Sequence, residues 1–379
     1  MIVVLPQLSF LRDTYGTILC LTGVAAQVFA GRRLRVSPRL NYGLALLVTV
    51  LYCLFGDQMI PALWYAVPAI YARDWIPGLI SVWNLLTISA AILILVGHRL
   101  PHFNAERRKF LRISTAAAFA VPTAVLGAGI VTRKDFQVNE VDIKIPDLPK
   151  DLRGLRLLQI SDIHLGAFFS RKDLARVVDA SNGLRPDLAF ITGDLITTEE
   201  DPLDTCLLEL SRLRSATGVW GCMGNHEMHA RVQRYTKARA KELAMDFLRF
   251  EQRSLKFGNS RLNLLGVDYQ NWRLNMPKID ELLSKDTFNL LLAHTPEVFP
   301  DAAAKGVQLT LSGHTHGGQI NLELLGANLN VVDLDTKYTK GLYTLSGSSI
   351  YVNSGLGTIG VPLRIGAPPE ITVIRLCNS

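Results

Sequence analysis

Five short polar blocks, each at the end of an apolar run, hold the side chains of this chain that are suited to metal chemistry. They are Asp162-Ile163-His164, Gly193-Asp194, Gly224-Asn225-His226-Glu227, His294 and Gly313-His314-Thr315-His316. Their donors are carboxylate oxygens, an amide oxygen and imidazole nitrogens, with no cysteine among them. Structural zinc knots favour thiolates. This set instead suits manganese, iron or zinc in mixed oxygen and nitrogen coordination. The inventory is sufficient for two ions and leaves one histidine spare. Two divalent ions held close together are a general solution to cleaving phosphate esters with water.

Something must bring these blocks together. The apolar runs 155–160, 188–192, 219–223, 290–293 and 309–312 are short and bounded by turn residues, which predicts buried strands. Ligands in open α/β folds bind beyond the carboxyl ends of such strands. Glycines precede Asp194, Asn225 and His314, and the expectation is a tight, positive-φ exit from each strand. Strand-like alternation puts Asp162 and His164 on one face, and likewise His314 and His316.

The ordered set D-x-H, G-D, G-N-H-[DE], H and G-H-x-H, running from Asp162 to His316, resembles the calcineurin-like metallophosphoesterase superfamily. The resemblance implies a sandwich of two sheets flanked by helices, an α/β fold. It also implies a division of ligands. One ion falls to Asp162, His164, Asp194 and His316, and the other to Asp194, Asn225, His294 and His314, with Asp194 bridging. His226 is the spare histidine, placed to protonate the leaving oxygen, and imidazole is the side chain suited to that work near neutral pH. The residues after His316 narrow the resemblance. Gly317-Gly318-Gln319-Ile320, the run 351–358, Pro362-Leu363-Arg364 and Pro368-Pro369-Glu370-Ile371 are similar to the membrane-associated YkuE/YaeI-like branch. The likeness covers residues 152–376. The glycines here are expected at the rim of the site. Arg364 is expected to contact an anionic substrate, since a planar guanidinium matches phosphate.

The first third of the chain has another composition. Segments 15–30, 42–55, 77–97 and 113–132 are apolar and almost free of charge. A spanning helix needs about 20 such residues. The expectation is about four spans in residues 1–133, with 59–72 a re-entrant piece or a fifth. A linker is expected at 134–151, with Pro146-Asp147-Leu148-Pro149 fitting a linker or a first edge segment, and the phosphoesterase domain at 152–379. Arg32, Arg33, Arg35 and Arg39 form one basic cluster, and Arg99, Arg107, Arg108, Lys109 and Arg112 a second. The positive-inside rule makes both loops cytoplasmic, which with four spans puts the catalytic domain on the extracytoplasmic side of a plasma or inner membrane. The segment 106–112 also resembles a twin-arginine export signal, though it is internal. The net charge of +7 lies largely in these clusters. It is accounted for by a lipid bilayer as partner, with no nucleic-acid-binding module visible.

Within the globular part, helices are expected around Leu174, Val177 and Val178, over 203–213, and on the surface over 236–250. The sequence therefore predicts a membrane-anchored phosphoesterase with two divalent ions. Its expected substrate is a phosphate ester or pyrophosphate, with a lipid-linked one suggested by location. The competing reading is a non-catalytic membrane scaffold or sensor built on the same fold.

Overall fold

The computed structural model describes residues 7–55, 70–98, 120, 123–269, 276–324, 327–330 and 336–379. The chain divides into two compact units, one within Met1–Val131 and one formed by Thr132–Ile359 with Leu363–Ser379.

The first unit is helical. Its helices are Gln7–Arg33, Pro38–Phe55, Ile70–His98 and the short apolar Thr123–Thr132. The expected segments 15–30 and 42–55 lie inside the first two, and 77–97 lies in the third. Among the described residues one stretch, Trp75–Leu95, with a mean hydropathy of 2.1, is long and apolar enough to cross a membrane. Polar side chains tie the three long helices together. Trp83 donates to Gln27 Oε1 at 2.9 Å, Gln27 Nε2 donates to the Asn41 carbonyl at 3.1 Å, and Thr87 donates to the Gly23 carbonyl at 3.1 Å. Most of segment 59–72, much of 113–132 and the basic cluster from Arg99 to Arg112, with its twin-arginine-like stretch, lie outside the described residues.

The second unit is built from two six-stranded sheets. The first contains β1 (Gln137–Ile145), β2 (Arg156–Ile160), β3 (Leu188–Ile191), β4 (Val219–Gly221), β5 (Met245–Phe247) and β14 (Glu370–Asn378), in the order β1-β14-β2-β3-β4-β5. The second contains β6 (Glu251–Phe257), β7 (Ser260–Gly266), β8 (Phe288–Leu292), β9 (Leu309–Ser312), β12 (Gly341–Leu345) and β13 (Ser348–Val352), in the order β12-β13-β9-β8-β7-β6. A separate hairpin pairs β10 (Asn321–Leu324) with β11 (Ala327–Asn330).

Strand alternation distributes the core. Leu157, Leu188, Phe190 and Ile374 of the first sheet meet Leu264, Leu290, Leu292, Leu309 and Leu311 of the second, forming the filling of the sandwich. Leu158, Ile160, Ala189 and Ile191 point the other way, onto Leu174, Val177, Val178, Leu207 and Leu210 of the flanking helices Arg171–Gly183 and Leu203–Leu210. The helix at Arg171 starts on a capping box in which Ser170 and Asp173 each bond the other's backbone N–H. On the outer face of the second sheet, Leu265 and Leu291 pack against Val298 and Ala302.

The strands β2, β3 and β4 run parallel, and so do β7, β8 and β9. Ile160 pairs with Ile191, and Leu292 with Leu311. The polar blocks that follow these residues therefore leave each sheet at one end and at nearly one level.

Two expectations are corrected. The linker 134–151 contains β1, which pairs parallel with β14 along its whole length and buries Ile143 and Ile145. The alternation of Val141, Ile143 and Ile145 is the strand signal in that stretch. The surface helix over 236–250 ends early. It spans Gln233–Glu242 and stops at Ala244, whose φ is 59°. The chain then enters β5, where Met245 and Phe247 are buried by strand alternation. The buried face of that helix, Thr236 and Ala240, packs toward the core.

The pairing of β1 sets the minimal folding unit. A fragment of residues 132–379 is predicted to melt cooperatively. One of residues 152–379 loses Ile143, Ile145 and Leu148 from the core and exposes the edge of β14. It is predicted to melt at lower temperature or to aggregate. Equal melting temperatures for the two fragments would contradict this role of β1.

Candidate metal centre

All eight residues expected at the site converge at the strand ends. Five of them sit in left-handed backbone as the chain leaves its strands. Asp162, His164, Asp194, His314 and His316 have φ of 48°, 45°, 54°, 74° and 53°. Asp and His tolerate this left-handed region better than β-branched residues do. Only one of the three expected glycines is there for its backbone. Gly193 has φ 90°. Gly224 and Gly313 are there for space. A Cβ on Gly224 would lie 2.1 Å from Asp194 Oδ1, and one on Gly313 would lie 2.2 Å from Asp162 Oδ2.

The ligand atoms form overlapping groups. Asp162, His164 and His316 make one, Asp194, His294 and His314 another, and His164, Asp194 and His226 a third between them. Nε2 of His164 faces Nε2 of His316 at 3.1 Å, and Nε2 of His316 is 3.5 Å from Asp162 Oδ1. Nε2 of His294 is 3.1 Å from Asn225 Oδ1, 3.1 Å from Asp194 Oδ2 and 3.2 Å from His314 Nδ1. Asp194 Oδ2 is also 3.7 Å from His164 Nε2. Metal–ligand bonds of about 2.1 Å place neighbouring ligand atoms about 3.0–3.4 Å apart. The residues present therefore fit two ions, with Asp194 Oδ2 between the two positions.

A second layer of bonds aims these side chains. His294 Nδ1 donates to the Thr192 carbonyl at 2.6 Å, which leaves Nε2 as the ligand nitrogen. His164 Nδ1 is paired with the Thr197 hydroxyl at 3.0 Å. His226 Nδ1 donates to the Thr197 carbonyl at 2.7 Å. Glu227 accepts from the backbone N–H groups of Asp194, Leu195 and Gly224 at 3.0, 2.7 and 2.8 Å. Asp162 accepts the His314 N–H, and Asp194 Oδ1 accepts the His226 N–H at 2.9 Å.

Burial sets the charge states. It pushes Asp162 up to about 6, with Asp194 adding to the rise. It pushes His164 down to about 3 and His314 down to about 4, so both rings offer neutral lone pairs. Burial also works to lower His294. There the Asp194 and Asp162 carboxylates outweigh it and push the ring up to about 10. Asp194 itself is held well below the usual carboxylate range, because His294 and His226 outweigh its burial.

Arg364 is placed differently from the expectation. It is buried, and its guanidinium donates to the Gly357, Ser354 and Ala367 carbonyls and to His316 Nδ1. It faces the back of a ligand rather than an approaching substrate. A metal on His316 Nε2 requires the neutral ring's proton on Nδ1, so donation from Nη2 to Nδ1 belongs to the metal-free tautomer. Sequence reasoning missed Thr197 and Tyr269. The Tyr269 ring lies 5.7 Å from that of His314 and 6.2 Å from that of His294. The available signal was position, since Tyr269 follows the end of β7 as the ligands follow their own parallel strands.

The profile of the calcineurin-like phosphoesterase family matches residues 155–318. The metallophosphoesterase YkuE of Bacillus subtilis is 31% identical over 284 residues, covering 72% of this chain and 98% of that protein. The transmembrane protein with metallophosphoesterase domain of Bos taurus is 31% identical over 290 residues, covering 72% of this chain and 64% of that protein. Among solved structures, an archaeal phosphodiesterase superposes with a TM-score of 0.30 at 12% identity, over 53% of this chain and 84% of its own. The family and the clustered ligands together point to a dinuclear divalent metal site.

Metal binding at His294 Nε2 displaces the proton that the raised pKa holds there. Binding is therefore predicted to release protons between roughly pH 7 and 9, with affinity falling about tenfold per unit of pH lowered. Calorimetry in buffers of different ionisation enthalpy reads this directly. In the metal-free protein the charged ring stabilises the fold fully below 6.5, and that contribution is lost as pH rises through about 10. Affinity independent of pH over that window would contradict the assignment.

Proposed function

The chain belongs to the calcineurin-like phosphoesterase family and is a metal-dependent phosphoric ester hydrolase, and from that premise we propose a membrane-anchored enzyme whose two ions share Asp194. The observation that carries the reading is the place of Asp194 Oδ2, 3.7 Å from His164 Nε2 and 3.1 Å from His294 Nε2. In this reading Asp162, His164, Asp194 and His316 hold one ion. Asp194, Asn225, His294 and His314 hold the other, and either manganese, iron or zinc suits the donors. When bound, two such ions stabilise charge on the phosphoryl oxygens and activate water for in-line attack.

The chain's own residues do the rest. Asp194 offsets charge between the two positions. His226 is fixed by its Nδ1–H bond to the Thr197 carbonyl, and in its protonated form the ring presents Nε2–H to the departing oxygen. Glu227 holds the turn that carries both Asn225 and His226 by binding three backbone N–H groups. Burial of the ligands keeps bulk water from competing with them.

Membrane anchoring is supported by the apolar helix Trp75–Leu95 and by the name of the bovine relative. The basic clusters favour an extracytoplasmic catalytic unit. A hydrolase held beside a bilayer meets lipid-linked phosphate esters and pyrophosphates at high local concentration, and these are the proposed substrates.

His226→Ala is predicted to lower kcat about 10²–10⁴-fold while both ions stay bound. Asp194→Asn is predicted to lose metal and activity together. Turnover and metal content of the purified full-length protein distinguish the two, and wild-type turnover in His226→Ala would remove it from the reaction. Presented in mixed micelles, a lipid phosphate is predicted to be hydrolysed with a higher kcat/KM than a soluble aryl ester. Equal values would remove the support for a lipid-linked substrate.

A further inference from the structure

Arg364 lies beyond residue 318, where the family match ends, yet it reaches the metal centre from behind. Its side chain is 3% exposed. A guanidinium carries five N–H donors, and here they are turned to the protein. Nε donates to the Gly357 carbonyl at 3.0 Å. Nη1 donates to the Ser354 and Ala367 carbonyls at 2.9 and 3.0 Å, with the His316 carbonyl at 3.4 Å. Nη2 donates again to the Gly357 carbonyl and, in the metal-free tautomer, to His316 Nδ1 at 3.2 Å. None is left for a substrate.

The loop that Arg364 grips lies directly on the other ligands of the same ion. The N–H of Gly357 donates to the Asp162 carbonyl at 2.7 Å. A Cβ on Gly355 would come within 2.5 Å of Asp162 Cβ. One on Gly357 would come within 2.4 Å of the Ile163 carbonyl and 2.8 Å of His164 Cβ. Side chains are thus excluded at positions 355 and 357, so that this loop forms the wall behind Asp162 and His164. Burying a guanidinium is costly, and an apolar side chain of similar volume fills such space more cheaply. An apolar side chain has no donors with which to hold the carbonyls of a loop.

We propose that Arg364 is a positioning residue for one of the two ions, holding the His316 backbone and clamping loop 354–357 against Asp162 and His164. The C-terminal segment is then part of the metal centre rather than its rim. This rests on the ligand assignment proposed above. It adds an asymmetry, because Asn225, His294 and His314 make no bond to Arg364 among its described partners.

The test is metal content and affinity of the full-length protein in detergent, loaded with manganese and titrated against a chelator. Two ions per wild-type chain is the precondition, and fewer would count against the ligand assignment itself. Arg364→Lys keeps the charge and loses the fork. It is expected to melt cooperatively, to keep one tight ion and to bind the other about 10–100-fold more weakly. Should the lysine variant fail to fold, Gly357→Ala, which presses the same loop on His164 with Arg364 intact, is expected to weaken the same ion. Two ions at wild-type affinity in the folded variant would overturn the proposal. A raised KM with unchanged metal affinity would do the same, and would return Arg364 to the substrate side.

Discussion

The centre depends on one buried carboxylate, Asp194, whose two oxygens face different partners. Oδ1 accepts the backbone N–H of His226, and Oδ2 sits between His164 and His294. With Asp162 and Glu227 it makes three carboxylates of 0–2% exposure in one place. Burying such charge unpaired is prohibitive. Without metal, the fold meets the cost with a proton held on His294 and with backbone N–H groups aimed at all three carboxylates. Two divalent ions answer the same demand more fully. The charge state of the metal-free site and the chemistry of the loaded one are two responses to a single electrostatic constraint.

The sandwich exists to hold that constraint still. Parallel strands in both sheets end at one level, and the chain leaves them through left-handed turns at Asp162, His164, Asp194, His314 and His316. Each such turn at a non-glycine residue costs about 1–2 kcal/mol. A core filled by Phe190, Leu264, Leu290 and Leu311 is rigid enough to impose them. The glycines at 224, 313, 355 and 357 then let backbone and ligand side chains come closer than a Cβ would permit.

The sequence made the ligand blocks and their strands legible because both signals are local. An apolar run followed by Gly-Asp or Gly-His needs no tertiary information. What it concealed were partners distant in the chain. Arg364 looked like a phosphate contact because guanidinium suits phosphate, and only the fold reveals that His316 and Gly357 already occupy its donors. Thr197 carries no signature, since its hydroxyl serves His164 and its carbonyl serves His226. The edge strand β1 was masked by its position after the apolar region, and the helix over 236–250 by a run of charge that continues past the left-handed turn at Ala244. The twin roles of glycine, turning and clearing space, are likewise indistinguishable in sequence.

The most direct test is anomalous diffraction from crystals of the manganese-loaded protein. The account predicts two peaks about 3.5–4 Å apart, with Asp194 Oδ2 between them. One should be flanked by Asp162, His164 and His316, and the other by Asn225, His294 and His314. A single peak, or two ions that do not share Asp194, would contradict it.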